Sequence, residues 1–139
     1  ANIIGERSTH GVMFDFIKKL RKNPKELEIL GDGKQRKPYL YVKDCVDGMV
    51  YGFKHANDDV NVFNLGCDGN TNVDHIAKIV IEEMGLKNVN IIHTGGKRGW
   101  KGDVPFVDFD TSKMKNIGWK PSLSSDEAVK KAIKIYLHK

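Results

Sequence analysis

Apolar positions along this chain switch between a helical and an extended period. Val12, Met13, Phe16, Ile17 and Leu20 recur at i, i+1, i+4, i+5 and i+8, the stripe of an amphipathic helix. Asn23-Pro24 ends it, because a residue before proline is pushed out of helical backbone angles. Leu27, Ile29 and Leu30 then read as a short strand, and Tyr39, Leu40, Tyr41 and Val42 as a second, aromatic one. The Gly31-Asp32-Gly33 turn between them supplies two residues free to take positive φ.

A second helix is expected from about Lys43 to Ala56, with Val46, Met49, Val50 and Phe53 on one face. Asn57–Asp59 turns into an expected strand, Val60–Leu65, ending at Gly66. Thr71-Asn72-Val73-Asp74 reads as a capping box opening a helix marked by Val73, Ile76, Ala77, Val80 and Met84, with Gly85 at its C′ position. Val89–His93 is a further strand. A glycine-rich loop, Thr94–Gly102, leads into an extended stretch, Val104–Asp110. Thr111–Ile117 reads as a short helix, broken by Gly118-Trp119-Lys120-Pro121. The last helix starts at a second capping box, Ser124–Glu127, and buries Val129, Ala132, Ile133 and Tyr136. Strands alternating with helices predict an α/β domain, with a small mixed sheet and about four to five helices.

The 139 residues fit one domain, burying roughly 68% of the unfolded surface. No apolar run approaches the ~18 residues of a membrane span, and no signal-peptide pattern occurs, so a cytoplasmic protein is expected. Ala1-Asn2-Ile3-Ile4-Gly5 is strand-like from the first residue and carries no initiator Met. That is the expectation for a fragment whose preceding part is missing.

A net charge of +5 admits nucleic acid or a phosphorylated small molecule as partner. Lys18, Lys19, Lys22, Lys130, Lys131 and Lys134 fall on polar helix faces, and no RNP motif, zinc finger or arginine-rich arm occurs, so nucleic acid is disfavoured. Cys45, Cys67 and the five histidines lack metal-ligand spacing, so no metal site is expected.

The candidate chemistry is anion binding. Lys34, Arg36 and Lys37 lie between two apolar strands, which suits an anionic ligand with a flat organic part. Neighbouring side chains on a strand face opposite ways, so only one of Arg36 and Lys37 is expected to face the ligand. Lys37 is preferred, because it shares a face with Tyr39. Gly95, Gly96, Gly99 and Gly102 would let backbone amides form an anion nest. Gly11-Val12 opens a helix, whose free N–H groups welcome phosphate or a carbonyl.

Leu27–Asp44, with Ala1–Gly5, Asn64–Gly66 and Arg98–Asp103, resembles the C-terminal, substrate-binding half of the NAD-dependent nucleotide-sugar epimerases and dehydratases, among which the UDP-glucose 4-epimerases are most similar. These are extended short-chain dehydrogenase/reductases. The resemblance implies the substrate-binding lobe (residues 1–139) of a Rossmann-type enzyme, whose N-terminal NAD-binding half lies outside this sequence. It implies that Ala1 touches the nicotinamide end of NAD and Asn2 the diphosphate of the sugar nucleotide. Gly11 and Val12 would contact the nucleotide, and the Glu28-Ile29-Leu30 backbone the uracil edge. Lys37 stands where relatives carry Arg, beside Tyr39. Arg98 would meet the diphosphate and Asp103 the ribose hydroxyls, although Trp100 occupies the usual Arg place.

No GxGxxG or GxxGxxG fingerprint occurs. Tyr39 and Lys43 have the family's catalytic Tyr-x-x-x-Lys spacing, but on a strand they cannot stack as i and i+4 do on a helix. No catalytic residue is therefore expected, and the fragment alone should be inactive. A homodimer is the expected assembly. The same lobe of a dehydratase or decarboxylase, or an autonomous basic module for nucleic acid or phosphorylated ligands, are the alternatives.

Overall fold

The computed structural model describes residues 2–138. In chain order the elements are β1 (Asn2–Ile4), α1 (Val12–Lys22), β2 (Glu26–Ile29), β3 (Arg36–Lys37), β4 (Tyr39–Tyr41), α2 (Val42–Lys54), β5 (Thr71–Asn72), α3 (Val73–Glu83), β6 (Asn90–His93), α4 (Ser112–Asn116) and α5 (Ser125–Leu137). The α/β class and the helix number match the expectation. The strands, however, form three two-stranded ladders rather than one small sheet. β1 runs parallel to β4 with Ile3 opposite Leu40, β2 parallel to β6 with Leu27 opposite Ile91, and β3 antiparallel to β5 with Lys37 opposite Thr71.

The core lies where three helix stripes meet the strands. Met13, Phe16, Ile17 and Leu20 of α1, Ile76, Ala77 and Val80 of α3, and Ala128, Val129, Ala132 and Ile133 of α5 enclose Leu27, Ile29, Tyr39 and Tyr41. Burial of this kind contributes about 25 cal/mol per Å² of apolar surface, and it fixes the start of α1 beside β1 and β4. The capping box at the head of α5 forms: the Ser124 Oγ accepts from the Glu127 N–H and the Glu127 carboxylate accepts from the Ser124 N–H. Gly85 sits just past α3 at φ +65, as a C′ glycine does.

Three expectations are corrected. Thr71 does not cap α3; it pairs in β5, and Asn72 is the N-cap, its Oδ1 accepting from the His75 N–H at 2.7 Å. Val60–Leu65 pairs in no strand ladder, while Val104–Asp110, expected as an extended stretch, carries one isolated bridge from Arg36 to Phe106. Strand propensity without a paired partner produces no strand. Val42 begins α2 instead of ending β4.

The apolar face of α2 is also not buried. Val46, Met49, Val50 and Phe53 are exposed, Phe53 by 85%. α2 faces the rest of the chain through Asp44, Gly48 and Gly52 instead. A Cβ on Gly48 would lie 2.7 Å from Trp119 Cζ2, so the buried indole of Trp119 needs a glycine there. Its Nε1–H donates to Asp47 at 2.9 Å, which bolts the ring to the helix.

Candidate functional site

A cavity of about 610 Å³ opens where β1, the start of α1, the end of β2 and the 98–103 loop converge. Sites for drug-sized ligands fall in the range of roughly 300–1,000 Å³. Asn2, Gly11, Val12, Leu30, Lys37, Tyr39 and Asp103 all line it, although they are spread over a hundred positions of sequence. Phe16, Met13 and Val73 supply apolar wall.

Gly11 is the N-cap of α1, at φ +99, a backbone conformation that disfavours any side chain with a Cβ. No side chain caps this helix. The first-turn N–H groups therefore keep their hydrogen-bonding capacity, and they stand at the cavity with the positive end of an 11-residue helix behind them. That arrangement receives an anion.

Lys37 and Asp103 form the polar centre. The ammonium meets Asp103 Oδ1 at 2.5 Å, and the Gly99 N–H donates to Oδ2 at 3.1 Å. Burial works against the charged carboxylate, but the Lys37 ammonium and the N–H groups of Gly99 and Val104 outweigh it, holding the carboxyl below its usual value. Lys37 is 24% exposed and Asp103 8%. One strand pairing earlier, Arg36 points the other way, its guanidinium 4.7 Å over the Phe106 ring. Strand alternation thus places Lys37 and Tyr39 at the cavity and Arg36 away from it.

Burial pushes the Tyr39 phenol up to about 12, with the Asp103 charge adding to the rise. A phenol so shifted stays protonated at neutral pH and acts as a hydrogen-bond donor, not as a base. Lys43 is 73% exposed and pairs with Glu6 at 3.4 Å, so the Tyr-x-x-x-Lys spacing places the lysine on the surface.

Other sequence-named residues lie elsewhere. Ala1 falls outside the described residues. Ile29 is a core residue with no exposure. Glu28 is exposed, and its carbonyl accepts from Lys19 Nζ at 3.2 Å. The Leu30 carbonyl accepts from Gln35 Nε2 at 3.0 Å. Arg98 is exposed, outside the cavity lining, with Nη1 directed to the Lys101 carbonyl at 3.4 Å. Asn64 donates to the Asp110 carbonyl.

Two readings of charge need correcting. Lys34, Arg36 and Lys37 do not act as a cluster: Lys37 is the one Lys or Arg in the described lining, which also holds Asp15 and Asp103. The glycine nest is partly spent, because the Gly99 N–H serves Asp103 and the Gly95 N–H donates to the Gly31 carbonyl.

Gln35 and Trp100 line the cavity without having been singled out as ligand contacts. Gln35 is 4% exposed, and its Oε1 is buried without a partner. Its place two residues after the Gly31–Gly33 turn is its only sequence signal. An aromatic among four glycines was the signal for Trp100.

Known proteins match this chain along nearly its whole length. Residues 1–66 match the NAD dependent epimerase/dehydratase family. A putative UDP-glucose 4-epimerase of Methanocaldococcus jannaschii is 28% identical over 137 residues, 96% of this chain and 42% of that protein. A crystal structure of a UDP-galactose 4-epimerase superposes with a TM-score of 0.85 at 36% identity, over 99% of this chain and 43% of that one. The UDP-glucose 4-epimerase of Thermotoga maritima, solved with UDP-glucose, gives 0.77 at 28% identity over 99% and 44%. GDP-L-fucose synthases and UDP-glucuronic acid decarboxylases are also among the relatives. The chain spans less than half the length of these relatives. The resemblance to NAD-dependent nucleotide-sugar epimerases and dehydratases read from the sequence is borne out.

Proposed function

We propose, from a chain that resembles NAD-dependent epimerases and dehydratases over nearly all its residues, that its cavity grips the nucleotide diphosphate of a nucleotide sugar. The whole protein would then be a UDP-glucose/UDP-galactose 4-epimerase. The observation that carries this reading is the convergence of Asn2, Gly11, Val12, Leu30, Lys37, Tyr39 and Asp103 on one cavity of about 610 Å³. Each was named from sequence alone, and they come from five separate parts of the chain.

The anchor differs in detail from one built on several cations. The uncapped start of α1 receives the diphosphate through N–H groups, and Lys37 adds one charge. Because Asp103 already holds Lys37 at 2.5 Å, the lysine is a fixed donor rather than a mobile one. Asp103 keeps acceptor capacity for a ribose hydroxyl, since a carboxylate offers about four lone-pair sites. Asn2 adds an amide on the same side. Arg98 stands outside the cavity lining, on the exposed side of the same loop as Asp103. An epimerase needs such an arrangement, because the nucleotide must stay fixed while the sugar turns over.

NAD, when bound, would supply the hydride acceptor. It would be held by a preceding Rossmann half together with Ala1, and this chain alone would be inactive. The exposed stripe Val46, Met49, Val50 and Phe53 would pack on that half or on a second copy. GDP-L-fucose synthase and decarboxylase relatives favour a second reading, in which the same grip serves a different sugar reaction.

Calorimetric titration with UDP-glucose and with UDP tests the grip. Both should bind with similar affinity, because the contacts are to the nucleotide, and Lys37→Met should weaken both. Absence of binding, or binding untouched by Lys37→Met and Asp103→Asn together, would overturn the reading.

A further inference from the structure

We propose that Trp100 is the platform on which the nucleobase of that nucleotide stacks. The inference rests on the proposed nucleotide grip and deepens it. Trp100 lines the cavity and is 66% exposed, so its ring is open to a ligand there. A residue this apolar, left open beside an anion-receiving helix start and an acid–lysine pair, matches a ligand that joins a flat heteroaromatic to a diphosphate.

The ring lies against its own loop. A Cβ on Gly102 would collide with Trp100 Cζ3 and Cη2, so the indole rests directly against this glycine. Gly102 has no positive φ to explain it; what it provides is room for the ring. The Trp100 carbonyl accepts from the Asp103 N–H at 3.0 Å, closing a tight turn. Asp103 in turn grips Lys37 and the Gly99 N–H. Ring, turn, carboxylate and lysine are thus one connected unit, and a base on Trp100 would place its ribose toward Asp103.

The loop is also tied to the strand that ends at the cavity. A Cβ on Gly99 would meet the Leu30 carbonyl and Asp103 Oδ2, each at 3.3 Å. Leu30, itself 45% exposed, adds a second apolar surface to the mouth. Aromatic stacking tolerates any base, so Trp100 sets affinity for the base without choosing among bases.

The chain has two tryptophans, and Trp119 is buried at 4% exposure against α2, outside the cavity lining. Emission from Trp100 can therefore be isolated. UDP titrated into the chain should quench part of the tryptophan emission, and Trp100→Phe should abolish that change while retaining most of the affinity. By calorimetry, Trp100→Ala should weaken UDP roughly 10- to 100-fold, the range of base–aromatic stacking, and leave inorganic pyrophosphate unchanged. Far-UV circular dichroism confirms that the variants fold, and Trp100→Leu serves as a second truncation. UDP binding with no change in Trp100 emission and no loss in Trp100→Ala would overturn the platform and leave the grip standing. Equal losses for UDP and pyrophosphate would overturn it in favour of a loop-holding role. No UDP binding by the unaltered protein would overturn both.

Discussion

Replacing Lys37 by Met removes one partner of an ion pair whose other member is nearly enclosed. Asp103 is 8% exposed, and the ammonium approaches its Oδ1 at 2.5 Å. After the replacement the carboxylate keeps the Gly99 N–H at 3.1 Å but loses its charged donor. A hydrogen bond to a charged group contributes about 1.5–3 kcal/mol. Lys37 is about a quarter exposed, so water replaces part of the loss, and about 2 kcal/mol is expected. For a chain of this length that corresponds to roughly 6–10 °C in Tm. The pH dependence has a definite sign. The folded carboxyl lies below its ordinary 3.8, so its stabilisation is complete above that value and is lost as pH falls through the lower folded value. The gap between Lys37→Met and the unaltered chain should therefore close as pH drops below about 4. Urea titrations at pH 7 and pH 3 measure this, and the Lys37→Met/Asp103→Asn double variant should recover much of the loss. A gap under about 0.5 kcal/mol at pH 7, or one that persists unchanged at pH 3, would refute the reasoning.

Three further outcomes follow from packing. Gly48→Ala should destabilise by about 1–3 kcal/mol through overpacking against Trp119 and Leu65, whereas Gly52→Ala, whose Cβ would meet Phe63 at 3.4 Å, should gain about 0.5–1 kcal/mol of helix propensity; denaturant midpoints separate the two. Ser124→Ala should cost about 1 kcal/mol by breaking the capping box of α5, read as a lower Tm. Phe53→Ser should change stability by less than about 0.5 kcal/mol, because the ring is 85% exposed, yet reduce self-association in sedimentation velocity.

Local features were legible in the sequence because local physics produces them. The α1, α3 and α5 stripes, the Ser124–Glu127 box and the C′ glycine at 85 depend only on neighbours a few residues apart. The in-and-out alternation of Lys37 and Arg36 was legible for the same reason. Pairings across long separations were not. Nothing near Lys37 announces Asp103, 66 residues on, or shows that this pair leaves the lysine already engaged. The periodicity of Val46, Met49, Val50 and Phe53 reveals an apolar face but not whether the chain covers it, and here it does not. Val60–Leu65 has strand composition, and whether a ladder forms depends on a partner, which the described residues lack. The side chain of Arg98 lies on an exposed loop, where charge alone fixes no direction.

Amide shift mapping on labelled protein titrated with UDP tests the nucleotide grip most directly. Perturbed resonances are expected at Gly11–Met13, Leu30, Lys37 and Gly99–Asp103, around a single cavity. Shifts confined to the lysine-rich face of α5, or no shifts at millimolar UDP, would contradict it.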